Sequence, residues 1–218
     1  MRWASEGAVV FAGALVAAGV AFASTARAEG VVDPSYGRVE GDLALVVGVG
    51  GTVASGGVRP EAELRARYLE TAGIYGTYED GPLVGLSPDP GRIVMAGFEL
   101  RPLFLYRWLR GYETRRERWD LAVDSAGLEL GLAWAQPDGG AFPSHPGFDA
   151  GFGVEFPITL DASGLWLAFH GGVRWSDFSL ATGAVEVNDE REVYLSITLA
   201  WHQLVATHLV DVGDRAPH

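Results

Sequence analysis

From Phe148 to Leu160 the chain reads F-D-A-G-F-G-V-E-F-P-I-T-L. Phe148, Ala150, Phe152, Val154, Phe156, Ile158 and Leu160 fall on one side of an extended strand. Asp149, Gly151, Gly153, Glu155, Pro157 and Thr159 fall on the other. Side chains alternate with period two along a strand, so this stretch predicts one β-strand between two different media. The same split recurs, with lapses, elsewhere. Residues 42–53 set Leu43, Leu45, Val47 and Val49 against Asp42, Ala44, Val46, Gly48 and Gly50. Residues 61–78 set Ala62, Leu64, Ala66, Tyr68, Ala72, Ile74 and Tyr78 against Glu61, Glu63, Arg65, Arg67, Thr71, Tyr75 and Thr77. Leu69 and Glu70 are inverted, which marks a bulge or an interface position within that strand. Residues 92–108 set Val94, Ala96, Phe98, Leu100, Pro102, Phe104, Tyr106 and Trp108 against Met95, Gly97, Glu99, Arg101, Leu103, Leu105 and Arg107. Pro102 cannot donate to a ladder, so a bulge is expected there. Residues 127–134, 165–176 and 192–202 complete the clear strands.

Ala54 to Gly57 and Asp161 to Gly164 carry turn chemistry, and 79–91, 136–146 and 177–189 read as loops. Between Leu109 and Ser125 the alternation loses phase. Trp119, Leu121 and Val123 alternate, yet Tyr112, Trp119 and Val123 also share one side of a helix, with 113–118 as its wet part. A short amphipathic helix over 112–124 is favoured over an extra strand. Residues 203–218 stay unassigned.

The expected fold is all-β: a closed antiparallel transmembrane β-barrel of about eight strands over 42–202. Seven strands are clear. The eighth lies in 112–125, in 203–210, or in a split of 61–78. A barrel of this pattern could instead be a soluble carrier, apolar inside. The small-or-charged face decides. Gly48, Gly50, Gly97, Gly131, Gly151, Gly153 and Gly172 all lie on it. A wet exterior has no need of such crowding, whereas a narrow barrel interior must be filled by side chains with little room. Trp, Tyr and Phe near several strand ends suit an aromatic girdle on the opposite face. Closure also removes the unpaired edges that lipid does not tolerate.

Composition narrows the compartment. Residues 1–28 resemble a secretory signal, with Arg2 at the start, an apolar run from Ala8 to Ala23 and Ala26-Arg27-Ala28 as a cleavage site. Residues 29–41 form a polar lead-in. The net charge is −12, and loss of 1–28, which holds Arg2, Arg27 and Glu6, makes it one unit more negative. Such a chain lacks the basic footprint that nucleic acid requires. Cys is absent, so no disulfide supports the fold.

The signal, the alternating segments and the tight turns together resemble the small outer-membrane β-barrel proteins of the OmpA and OmpX kind. The resemblance covers about residues 40–202. It implies a place in the cell outer membrane, with outer-membrane lipid and lipopolysaccharide as partners and an extracellular ligand at the loops. Acidic loop residues (Glu79, Asp80, Asp89, Asp138, Glu186, Asp189, Glu190) are solvated or hold divalent cations against lipopolysaccharide. The chain departs from the pattern in its odd count of clear strands and in its last residue, His218. The short connections 54–60 and 161–164 are expected at the periplasm, unless a periplasmic start at Asp42 puts 54–60 outside.

The polar face collects Glu61, Glu63, Arg65, Arg67, Glu99, Arg101, Arg107, Glu129, Asp149, Glu155, His170, Arg174 and His202. The favoured reading is an ion-pair network filling the lumen, since buried charges must be paired. Its rival is a narrow polar path or channel. A third reading is a lipid A-modifying enzyme, which needs a Ser with a His and a carboxylate. His170 and Ser176 share a strand face and Ser144-His145 sits in a loop, but neither has the close His-x-Ser spacing of the deacylase family. No catalytic residue, metal site or cofactor is therefore assigned. The five His show no paired metal-ligand spacing, and Gly48-x-Gly50-Gly51 lies within a strand and not at a phosphate-binding turn.

Overall fold

The computed structural model describes residues 43–84, 90–114, 116–159, 162–175 and 191–207. The expected signal segment, the lead-in, Asp42, the 177–189 loop and the tail beyond 207 lie outside the described residues. Eight strands form the wall: β1 (Leu43–Ala54), β2 (Gly57–Tyr68), β3 (Ala72–Glu79), β4 (Arg92–Leu100), β5 (Gly127–Gln136), β6 (Gly147–Pro157), β7 (Gly164–Trp175) and β8 (Arg191–Val205). Each pairs with its sequence neighbours, and β1 pairs antiparallel with β8, so the sheet closes on itself. Two helices join β4 to β5: α1 (Pro102–Arg110) and α2 (Glu117–Asp124).

The alternation expected on the wall is the alternation observed. On β6 Asp149, Gly153 and Glu155 are buried, while Phe152 and Phe156 are exposed. On β8 Tyr194, Ser196, Thr198, Ala200 and His202 are buried, while Val193 is 69% exposed and Leu195, Ile197 and Leu199 are also exposed. Phe98 on β4 is 73% exposed. Large apolar side chains therefore look outward and polar ones inward. Strand lengths of 8 to 15 residues bracket the roughly 9–11 that a tilted strand needs to cross a bilayer. Outward aromatics gather at both rims. At one rim, Phe148 on β6 and Trp175 on β7 are register partners with ring centroids 5.6 Å apart. Tyr68 and Trp201 stand at the other end, where β1 begins and β8 ends.

The eighth strand comes from splitting 61–78. Leu69 and Glu70 are a turn, with φ of 47° and 54°, and the Thr71 amide donates to Tyr68 O at 3.0 Å. The inverted pair is therefore a hairpin tip and not a bulge. Tyr68 faces Ala72 across the ladder. Three residues between them preserve the parity of the alternation, so two strands read as one.

The 92–108 segment also differs from expectation. β4 stops at Leu100, and Pro102 does not bulge a strand but opens α1 at its first turn, where a missing N–H costs nothing. Gly111, at φ 59°, ends α1 in the left-handed region, with its amide donating to Trp108 O at 3.2 Å and the Tyr112 amide to Arg107 O at 3.0 Å. The helix expected at 112–124 exists as the shorter α2. Its Trp119 and Val123 share an exposed side, while Asp120, Leu121, Ala122 and Asp124 are buried. β8 runs three residues past the expected end at 202 and reaches Val205.

An antiparallel wall of eight strands puts the start of β1 and the end of β8 at one end of the barrel, the lower end. The 69–71 turn, the α1–α2 hairpin and the 158–163 connection share that end. The Ser55-Gly56 turn, residues 80–84 and 137–146, the end of β7 and the start of β8 lie at the other, upper end. The two short connections at 54–60 and 161–164 therefore do not share a side, as the first expectation had it. The alternative, with 54–60 opposite the chain start, is the one the topology gives.

Leu69 holds a left-handed conformation that a γ-branched side chain adopts at a cost, whereas Asn adopts it readily. Leu69→Asn should raise the urea unfolding midpoint of the folded barrel in lipid vesicles, by a stabilisation of about 0.5–1 kcal/mol. An unchanged or lowered midpoint would show that the tip is not strained.

Candidate functional site: the ion-paired barrel interior

The inward positions of β2, β4, β5, β6 and β7 bring charges together from strands far apart in sequence. Arg65 on β2 is the centre. Its Nε lies 2.8 Å from Glu63 Oε2, and its Nη1 lies 2.5 Å from Glu129 Oε1 and 3.1 Å from Glu99 Oε2. His170 on β7 completes the group, with Nδ1 at 2.8 Å from Glu129 Oε1 and 3.2 Å from Arg65 Nη2. One level lower, Arg67 reaches Glu99 at 3.0 Å and also pairs with Glu155. Arg101 spans Glu99 at 2.7 Å, Glu155 at 2.6 Å and Glu70 at 2.8 Å. Near the upper end, Arg174 bridges Glu79 at 2.6 Å and Glu192 at 2.8 Å. All of these groups but Glu192 are buried. Charges held this far from water need several partners each, and here each guanidinium has at least two.

Between these levels lies a polar knot of another kind. Asp149 Oδ2 accepts from Tyr75 Oη at 2.9 Å and from Tyr194 Oη at 3.3 Å. The two rings need space, which glycine provides. A Cβ at Gly131 would meet Tyr75 Oη at 2.6 Å, and one at Gly172 would meet Tyr194 Oη at 2.9 Å. Gly48 likewise leaves room for the Glu63 side chain and Gly153 for the His170 ring. Glycine on the inward face is thus a packing requirement of the large polar side chains opposite it. Glu61 is held by the hydroxyls of Thr52 (2.6 Å) and Ser196.

The α1–α2 hairpin closes in on the lower end. The Ser125 hydroxyl donates to Glu155 O at 2.8 Å and accepts from the Glu155 amide at 2.7 Å, which ties the end of α2 to β6. Phe104, Leu121, Asp124 and Ser125 line a small cavity with Glu70, Arg101, Trp166 and His202. His202 stacks on Trp166 with centroids 4.6 Å apart, and its Nε2 is 3.5 Å from Glu155 Oε2.

Every residue of the expected network (Glu63, Arg65, Arg67, Glu99, Arg101, Glu129, Asp149, Glu155, His170 and Arg174) is inward and buried. They fall into three groups: the Arg65–Arg67–Arg101 cluster with its carboxylates and His170, the Asp149–tyrosine knot, and the Arg174 group near the rim. Arg107 does not join them. It belongs to α1 and pairs with Asp120 and, at 3.1 Å, with Asp124. Glu79, read as a loop acid, is instead a fully buried partner of Arg174. Continuing the alternation from Tyr75 and Thr77 to Glu79 would have located it. Glu70 was missed because it lies in the turn. Of the serines and histidines weighed for catalysis, His170 is enclosed by Arg65 and Glu129, and Ser144 contacts His145 at 3.0 Å on an exposed loop. Ser176 lies outside the described residues. Among the described residues no cluster of His, Asp and Glu is arranged to hold a metal ion.

An apolar outer belt, aromatic rims, a closed ladder and a polar interior together define a membrane β-barrel of the outer-membrane type. No protein-family model matches the chain, and no curated protein matches it. Among solved structures it is similar to CarO2 of Acinetobacter baumannii, with 12% identity over 73% of this chain and 99% of that one, and a TM-score of 0.41. It is also similar to Ail, the attachment invasion locus protein of Yersinia pestis, solved with the heparin analogue sucrose octasulfate. That match has 11% identity over 75% of this chain and 99% of that one, with a TM-score of 0.34. At these values the likeness assigns no function.

Arg65→Met should strip Glu63, Glu99 and Glu129 of their shared cation, at a cost of about 3–5 kcal/mol. The check is heat-modifiable gel migration and urea unfolding, where the variant should unfold at lower temperature and lower urea. Gly131→Ala should cost about 1–3 kcal/mol in the same assays, because its Cβ meets the Tyr75 hydroxyl and the Ala96 carbonyl. Adding Tyr75→Phe should recover part of that loss.

Proposed function

We propose that the protein is an outer-membrane barrel whose interior is plugged by its own ion pairs, and that it serves the membrane as a structural or surface-interaction element. The observation carrying this reading is the Arg65 cluster. It ties side chains of β2, β4, β5 and β7 together across the lumen with no buried charge in the group left without a partner. A conducting path needs charges that meet water and passing ions. An interlocked set of guanidinium and carboxylate groups offers neither. The end where β1 begins and β8 ends is assigned to the periplasm, so residues 80–84 and 137–146 face outward, where a ligand or lipopolysaccharide would be met.

Planar-bilayer recording on the purified full chain tests this. The expected result is no steady current under an applied potential. A steady, ion-selective current would overturn the plugged reading in favour of a narrow channel.

A further inference from the structure

The α1–α2 hairpin wears its side chains the wrong way round for a helix in water. A surface helix turns polar residues outward and apolar ones inward. Here Arg107 is turned in and paired with the buried Asp120 and Asp124. Leu103, Leu105, Tyr106, Trp108, Leu109 and Trp119 are turned out, with Leu109 70% and Trp119 60% exposed. Only Phe104 and Arg107 of α1 are buried. Among the described residues no element covers the outward side.

Two observations say what does. The apolar surface is continuous with the barrel's outer belt, because α1 leaves β4 just after the exposed Phe98 and Leu100, and α2 re-enters β5 just before the exposed Leu128 and Leu130. Cations also flank it. Arg110, at the end of α1, stands 5.7 Å over the Tyr106 ring, and Arg116 and Arg118, at the start of α2, are exposed. Trp and Tyr among Leu, bordered by Arg, is the chemistry of an element lying in the headgroup region, with rings at the acyl boundary and guanidinium groups at the phosphates.

We propose that the hairpin docks on the phospholipid leaflet at the end of the barrel where β1 begins and β8 ends, its outward side sunk to the acyl boundary and Arg110, Arg116 and Arg118 meeting lipid phosphates. This rests on the membrane-barrel reading and deepens it. The hairpin is a foot planted in the leaflet beside the lower mouth. Its inward side closes over Trp166 and His202, so lipid contact on one side holds the cover in place on the other.

The absence of cysteine makes the test direct. Single-cysteine variants Leu109→Cys on α1, Phe98→Cys on the belt and Asp138→Cys on an upper loop are folded separately into phosphatidylethanolamine–phosphatidylglycerol vesicles and spin-labelled. Collision with oxygen, which partitions into lipid, is compared with collision with a water-soluble nickel chelate. The expected result is a Leu109→Cys ratio matching Phe98→Cys and unlike Asp138→Cys. A water-like ratio at Leu109→Cys beside a lipid-like one at Phe98→Cys would overturn the docking while leaving the barrel in the membrane. This is also the outcome if a periplasmic protein, and not lipid, covers the hairpin. Water-like ratios at both would overturn the docking and the membrane reading together.

Discussion

A charge inside this barrel has no bulk water to solvate it, so its opposite must come from another part of the wall. The partners lie far apart in sequence: Arg65 reaches Glu129, Arg67 reaches Glu155 and Arg174 reaches Glu79. Each of these pairs joins strands that are not hydrogen-bonded neighbours. They act as ties across the lumen, where the ladder ties only adjacent strands. Because removing one member leaves a buried charge uncompensated, the interior tolerates loss poorly even where the net gain of each pair is small. The ladder closes the wall, and the ties fix what it encloses.

Turning arginine and tyrosine into the lumen has a geometric consequence. The wall opposite a large polar side chain must recede. Gly97 and Gly131 recede for Tyr75, Gly151 and Gly172 for Tyr194, and Gly153 for His170. These glycines would weaken an isolated strand. Here they are offset by the hydroxyl donors that the two tyrosines bring to Asp149 and by the arginines stacked beside them, Arg65 at 5.4 Å from the Tyr75 centroid and Arg174 at 4.7 Å from that of Tyr194. Glycine content and charge content are thus two sides of one packing problem.

The lower end breaks the symmetry of the barrel. Among the described residues helices occur only between β4 and β5, where two of them carry an inverted polarity. Pro102 and Gly111 set the limits of α1 by backbone chemistry alone. Its orientation is set by Arg107, whose two acidic partners lie on α2, and by Ser125, which grips the backbone of β6.

The alternation of side chains by itself determined the wall, its inward and outward faces and the residues of the interior, because a strand between lipid and a narrow lumen must change chemistry at every residue. It did not determine where strands end. The 68–72 tip keeps the parity of its flanks, so it hid inside an apparent strand, although eighteen residues would extend about 60 Å against a bilayer core of about 30 Å. α1 hid for a related reason: it carries apolar side chains nearly all round, so Phe104, Tyr106 and Trp108 kept the even spacing of β4 although the backbone had turned helical. The choice of partners inside the lumen was left to the tertiary structure. Any inward arginine could serve any inward carboxylate, and only closure of β1 on β8, with the stagger of the strands, decides which of them come within reach.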